Sequence, residues 1–277
     1  MAHISFMGIG AYASTLLVMQ GGLSFWAALG PAGLSAAAFA VLIGSLALRV
    51  TGPYYFLITF AFSEVVRLIF NNFFVGWFGG PSGLVQIPKP DPLRLGGLAL
   101  TFVGKVELYY LICVLLLLVA AVLVRVDYSP FGLAANAVRQ SDLLAETLGV
   151  WVFRYRLTAF VLGSFMAGIA GAFFAHSHQV LHSSDFGLEP MVLLVVFTVI
   201  GGTGSVWGPV VGTVVLTVVS EFMREFHYYE ILLYGAVLIL TMLLLPEGLI
   251  SLPGKLARLV RRGRREGTEA MGIGVAS

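Results

Sequence analysis

Between Leu108 and Val124 the chain reads LYYLICVLLLLVAAVLV, a run with no charged residue anywhere in it. That length falls within the roughly 17 to 25 residues a helix needs to cross a bilayer. In hydrocarbon the backbone has no water to pair with, so a spanning segment is restricted to a helix or a closed barrel. Apolar runs of comparable length lie at roughly 4 to 20, 24 to 48, 53 to 71, 108 to 124, 157 to 175, 188 to 202, 206 to 222 and 229 to 245. Composition excludes the soluble alternative, because hydrophobic residues make up 58% of 277 and charged residues only 11%, more apolar surface than a soluble domain of this size hides. The expected fold is therefore all-α: a polytopic transmembrane helix bundle of about eight spans. The first span is the weakest, being short and rich in Gly and Ser, and the sixth and seventh nearly fuse at IGGTGSVWGP.

A polar island interrupts this pattern between Arg125 and Arg156, RVDYSPFGLAANAVRQSDLLAETLGVWVFRYR. Ser129 stands as a helix N-cap with Pro130 at the first helical position, and Ser141 as a second N-cap with Asp142 in the first turn. Gly149 sits where a left-handed cap would end the second helix. A loop with two short helices and four arginines is what a membrane protein presents to a cytoplasmic partner. An ordinary amphipathic loop is the competing reading, and pattern alone does not separate the two.

Orientation follows from where the cations fall. With 125–156 in the cytoplasm, Arg49 and the C-terminal tail are also inside, which places eleven of the sixteen Lys and Arg residues there. Lys89, Arg94, Lys105 and Arg224 fall outside, Arg67 lies within a span, and the segment His176 to Glu189 carries no Lys or Arg. Both termini are then cytoplasmic, with residues 1–250 forming the transmembrane domain and 251–277 a basic tail at the anionic inner leaflet. The N-terminus has no basic region followed by a cleavage site, so no cleaved signal peptide is expected.

Intramembrane polarity is sparse. Glu64 and Arg67 are spaced to share one helix face, and an ionisable group inside a span is a functional candidate by default; self-neutralisation that staples helices is the alternative. Gly201, Gly202, Thr203 and Gly204, followed by Gly208-Pro209, cannot continue a helix cheaply. Backbone groups freed at membrane depth persist only where protein or a polar path satisfies them, so this run marks either a translocation route or a tight turn. Small residues such as Gly163, Ala167 and Gly171 favour close helix packing. His176, His178 and His182 with Asp185 are expected to be a solvated outer cluster rather than a metal site. The single cysteine, Cys113, excludes a disulfide framework.

Phosphate-cradling, zinc-protease and nucleophile-elbow motifs are absent from the sequence, so no catalytic residue, cofactor, metal or nucleic-acid partner is expected, and the energy for any transport must come from a partner or an ion gradient. Five segments in order, ALRVTGPYYFLITFAFSEVVRLIFNN, GGPSGL, SPFGLAANAVRQSDLLAETLGVWVFRYRLTAFVLGSFMAGIAGAFFA, VIGGTGSVWGPVVG and LLYGAVLILTMLLLPEGL, resemble the LivM-type permeases of branched-chain amino acid ABC importers. The resemblance runs from His3 to about Leu249. It implies a multi-pass subunit of a bacterial inner membrane, working with a LivH-type permease subunit, two cytoplasmic ABC ATPases and a periplasmic substrate-binding protein.

By the same resemblance, Arg139, Gln140, Ser141, Asp142, Leu144, Ala145, Glu146, Leu148 and Gly149 are similar to the coupling helix that docks on the ATPase. Two departures stand out. Family members usually carry further hydrophobic sequence before the segment that here reads MAHISFMGIGAY, so a late-start form is expected, and Gln140-Ser141-Asp142-Leu143 replaces a segment where acidic residues are commoner. Alternatives are a urea or short-amide permease of the same superfamily, an ion-coupled secondary transporter, for which only Glu64 offers an intramembrane carboxylate, and a membrane scaffold, against which the coupling segment argues.

Overall fold

The computed structural model describes residues 2–222 apart from 51, 96, 97 and 103, together with Gly235. The expected span at 229–245, the tail at 251–277 and the polar residues Arg224, Glu225, His227 and Glu230 lie outside the described residues. The chain divides into two compact units, Met1–Met191 and Val192–Ser277.

The first unit is organised around three helices: α1 (His3–Met19), α2 (Phe25–Ala47) and α8 (Val152–His178). The others are α3 (Pro53–Asn72), the short α4 (Val75–Phe78), α5 (Lys105–Asp127), α6 (Pro130–Gln140) and α7 (Asp142–Thr147). Helix α2 starts where the Ser24 hydroxyl accepts from the Ala27 N–H at 3.3 Å, and α3 starts with Pro53 at its first turn after Gly52, whose φ is +64°. Proline there presents no orphan N–H, and glycine supplies the left-handed turn in front of it.

The span expected to be weakest, the short and Gly- and Ser-rich α1, is the most enclosed. Phe6, Ala11, Tyr12, Ser5, Ser14 and Thr15 are all buried, and small residues, Gly8, Gly10 and Ala11 among them, make up much of its buried face. Between helices in lipid, association comes from close packing rather than a hydrophobic difference, which rewards small residues. A Cβ at Gly10 would stand 2.2 Å from the Gly168 carbonyl oxygen, and one at Gly171 would stand 1.8 Å from that of Met7. Helices α1 and α8 therefore touch backbone to backbone. Gly163 and Ala167 belong to the same seam, the former beside His3 and the latter against the buried cluster of Phe6, Tyr12 and Phe160. Around it, Tyr12 stacks on Phe70 with centroids 4.1 Å apart, and Phe6 meets Phe160 edge to face at 5.4 Å.

At the end of the bundle remote from α6 and α7, short strands appear. β1 (Leu84–Val85) pairs antiparallel with β4 (Val180–Leu181), Leu84 opposite Leu181, while β2 (Leu93–Leu95) pairs with β3 (Leu98–Leu100). The segment after β1 is strapped down: the Ile87 N–H donates to the Gln179 carbonyl at 3.2 Å, the Phe25 N–H to the Asp91 carboxylate at 2.7 Å and the Trp26 indole to the Asp91 carbonyl at 3.0 Å.

This end corrects the expectation of a solvated histidine cluster. Helix α8 continues through His178, and His176 is fully buried, its Nδ1 lying 2.7 Å from the Pro88 carbonyl. No group of three potential metal ligands exists among the described residues. The histidine belongs to the strap because the helix outruns the apolar segment and the 84–91 chain folds back over its last turn.

Helix α9 (Leu188–Gly201) follows a 3₁₀ turn at Ser183–Phe186, and α10 (Trp207–Phe222) completes the described elements. In the second unit Val196, Ile200 and Leu216 form a small core. Among the described residues, five helical segments are long and apolar enough to cross a membrane (α2, α3, α5, α8 and Ser183–Gly201), and two shorter apolar helices, α1 and α10, accompany them. The bundle is helical as expected, with strands confined to connections.

Candidate functional site

Local chemistry shapes the α6–α7 loop. The Ser129 hydroxyl accepts from the Gly132 N–H at 3.2 Å with Pro130 in the first turn, and the Ser141 hydroxyl accepts from the Leu144 N–H at 3.3 Å. Both hydroxyls satisfy amides that a helix start leaves unpaired. Helix α7 ends in a left-handed residue, Gly149 at φ +78°, whose N–H donates to the Glu146 carbonyl at 2.9 Å while the Val150 N–H reaches the Ala145 carbonyl at 3.0 Å. That pair of bonds is the Schellman termination, and glycine permits it without Cβ strain.

The loop is also tied to the bundle. Arg156, in the first turns of α8, places Nη2 2.6 and 2.7 Å from the two Asp142 oxygens. Phe131 of α6 stacks on Tyr155 at 5.4 Å, and the Arg154 guanidinium lies 4.2 Å over the Trp151 ring. Ala145 is buried, which seats α7, whereas Leu143, Leu144 and Leu148 project outward with exposures of 75, 64 and 75%. Gln140 and Glu146 are exposed beside them. These exposed leucines share a short helix with Asp142 and Glu146.

Behind α7 opens a cavity of about 580 Å³ lined by residues including His3, Tyr55, Asp142, Arg156 and Phe160. Sequence reasoning missed Arg156 as the partner of Asp142, because the two lie fourteen residues apart on different helices and no helical periodicity joins them. It also passed over Leu143, whose exposure depends on which face Ala145 buries.

The second candidate is the Glu64–Arg67 pair. The Arg67 Nε–H donates to both Glu64 oxygens at 3.0 Å, and Nη2 also contacts Oε1. With the pair, Phe60, Ser184, Gly187, Leu188 and Glu189 line a cleft of about 440 Å³. In the second unit, Gly201 to Gly204 join α9 to α10. A Cβ at Gly201 would stand 1.9 Å from the Gly208 carbonyl oxygen, and one at Gly212 would stand 2.1 Å from that of Phe197. Gly202 is buried at φ +108°, and Thr203 and Gly204 are exposed. Thus the freed backbone of the glycine run closes on the neighbouring helix at one end and faces outward at the other. Glu64 belongs to the first unit and this turn to the second.

Five apolar helices of spanning length, with ionisable groups and helix breaks among them, define a multi-pass membrane protein. Residues 1–245 match the family described as the permease component of the branched-chain amino acid transport system, and the chain belongs to that family. It is 32% identical to the high-affinity branched-chain amino acid transport system permease protein LivM of Escherichia coli K12 and 33% identical to that of Salmonella typhimurium, each over 96% of this chain and 66% of the relative. The chain therefore spans just under two thirds of the length of these relatives. It is also 27% identical to the permease protein LivH of Salmonella typhimurium, over 48% of this chain and 44% of that protein. No solved structure matches.

Proposed function

We propose that the chain is the transmembrane subunit of an ATP-driven importer of branched-chain or related hydrophobic amino acids in a bacterial inner membrane. It pairs with a LivH-type permease subunit, and two cytoplasmic ABC ATPases and a periplasmic binding protein complete the assembly. The observation that carries this reading is the leucine face of α7, joined to α8 by the Asp142–Arg156 pair and left uncovered. Likeness to both LivM and LivH supports pairing of two related subunits.

In this reading Arg139, Gln140, Ser141, Asp142, Leu144, Ala145, Glu146, Leu148 and Gly149 form the ATPase contact. Leu144 and Leu148 enter a cleft of the ATPase, and its closure moves α7 as a body. Because Asp142 is fixed to Arg156 and Ala145 is buried, the motion passes into α8 and from there to α1 and α2, changing access by domain movement. Glu64, Gly201, Gly202, Thr203 and Gly204 line the route. The chain itself has no ATP-hydrolysing role.

The test is reconstitution of the complete five-subunit assembly in proteoliposomes. ATP-dependent accumulation of L-leucine, absent when this chain is omitted, is the expected result; accumulation of urea instead would move the assignment to the short-amide branch. Orientation is tested in a Cys113→Ser background with Gln140→Cys and His182→Cys variants. A membrane-impermeant thiol reagent on intact cells labels position 182 and spares 140, and the reverse pattern inverts the topology.

A further inference from the structure

The cleft beside α3 holds an arrangement that a helix staple does not require. Phe60, Glu64 and Arg67 follow one another at spacings of four and three residues and so share a face of α3. That face meets Leu188 and Glu189 from the start of α9 and Ser184 from the turn before it, bordering an open cleft of about 440 Å³, within the range of roughly 300 to 1,000 Å³ typical of small-molecule sites. Arg67 commits Nε and one edge of Nη2 to Glu64. A guanidinium has five N–H donors, so the Nη1/Nη2 fork is left without a partner among the described residues, and that fork is the edge that grips a carboxylate with two parallel bonds. Two carboxylates, Glu64 and Glu189, accompany the single guanidinium, leaving an excess of negative charge for a cation.

The geometry points to a binding site for a free α-amino acid with an apolar side chain: carboxylate on the outer fork of Arg67, ammonium between Glu64 and Glu189, and side chain against Phe60 and Leu188. This rests on the transport reading above and names the site at which cargo contacts the membrane subunit. The ligand classes that fail to fit define it as sharply. An anion lacks the ammonium that offsets the two carboxylates, a simple amine leaves the fork empty, and a strongly polar side chain meets Phe60 and Leu188. Self-neutralisation alone would need only Glu64 and Arg67, with no opposing carboxylate and no apolar wall.

The inference is tested by equilibrium binding of radiolabelled L-leucine to the assembled permease in nanodiscs, with binding protein and ATP omitted. Arg67→Gln and Glu64→Gln are each expected to weaken binding by about tenfold or more, the loss of one charge-assisted contact. Unlabelled L-leucine competes, whereas L-leucinol, lacking the carboxylate, and 4-methylpentanoate, lacking the ammonium, do not. The double variant Glu64→Arg/Arg67→Glu rebuilds an ion pair at the same spacing and keeps the fold. It is expected to stay defective, and wild-type leucine binding in it would show the pair to be a staple and overturn the site. Equal competition by all three compounds would overturn it as well. Uptake in the same preparation separates the two ideas: leucine uptake with no effect of Arg67→Gln or Glu64→Gln on binding rejects the site and keeps the importer, while selective leucine binding without uptake rejects the importer and keeps the site.

Discussion

The α1–α2–α8 core and the α6–α7 loop belong to one unit and dispose of their apolar groups in opposite ways. In the core, glycine and alanine line the seams, backbones touch, and large rings such as Phe6 and Tyr12 are enclosed. In the loop, backbone geometry is fixed by two serine caps and a glycine termination, and the large apolar side chains stand in the open. One region is specified by the absence of side chains at its contacts and the other by side chains with nothing yet against them. With the α6–α7 loop as the proposed ATPase contact, substitutions should divide cleanly between abundance in the core and activity in the loop.

The largest effect is expected at the core seam. Gly171→Val places carbon 1.8 Å from the Met7 carbonyl oxygen, backbone against backbone, where no rotamer change relieves the clash. Overpacking of about 1 to 3 kcal/mol or more follows, and membrane abundance measured by fluorescence-detected size exclusion should fall to a small fraction of wild type. Normal yield of a monodisperse protein would break the comparison on the core side.

Leu148→Asp should do the converse. The residue is 75% exposed and touches no core, so abundance should stay at wild-type level while ATP-dependent leucine uptake is lost and ATPase activity persists uncoupled. Full uptake at equal expression would remove α7 from the ATPase contact.

Gly202→Val is intermediate in mechanism and smallest in size. At φ +108° a β-branched residue is strained by about 1 to 3 kcal/mol, too little to unfold a large bundle yet comparable with the gap between two conformations of a transporter. Uptake per inserted molecule should drop severalfold with only a modest loss of protein. Wild-type uptake per molecule would make the glycine run a turn and nothing more.

The same contrast explains which features the amino-acid sequence reveals. Ser129, Pro130, Ser141 and Gly149 act within a few residues of themselves, so their roles are legible in the sequence, as are the boundaries of α2, α3 and α9. The contact between Glu64 and Arg67 is legible for the same reason. What escapes is non-local. Burial of α1 is hidden because the residues that permit it, such as Gly10, meet their partners on α8 more than 150 positions along the chain. The Asp142–Arg156 pair, the β1–β4 pairing and the burial of His176 under Pro88 each join distant parts of the chain, and no period of two or 3.6 encodes such meetings.

Helix α8 runs unbroken for 27 residues, about 40 Å at 1.5 Å per residue. One tip is clasped by Arg156 to the loop and the other is lashed by His176 and Gln179 to the 84–91 strap. Held at both tips and seated on α1 at its middle, it is a lever with a fulcrum. Each degree of rocking about that middle carries either tip through about 0.35 Å on an arm of about 20 Å, so a tilt of about five degrees driven at α7 displaces the strap by nearly 2 Å.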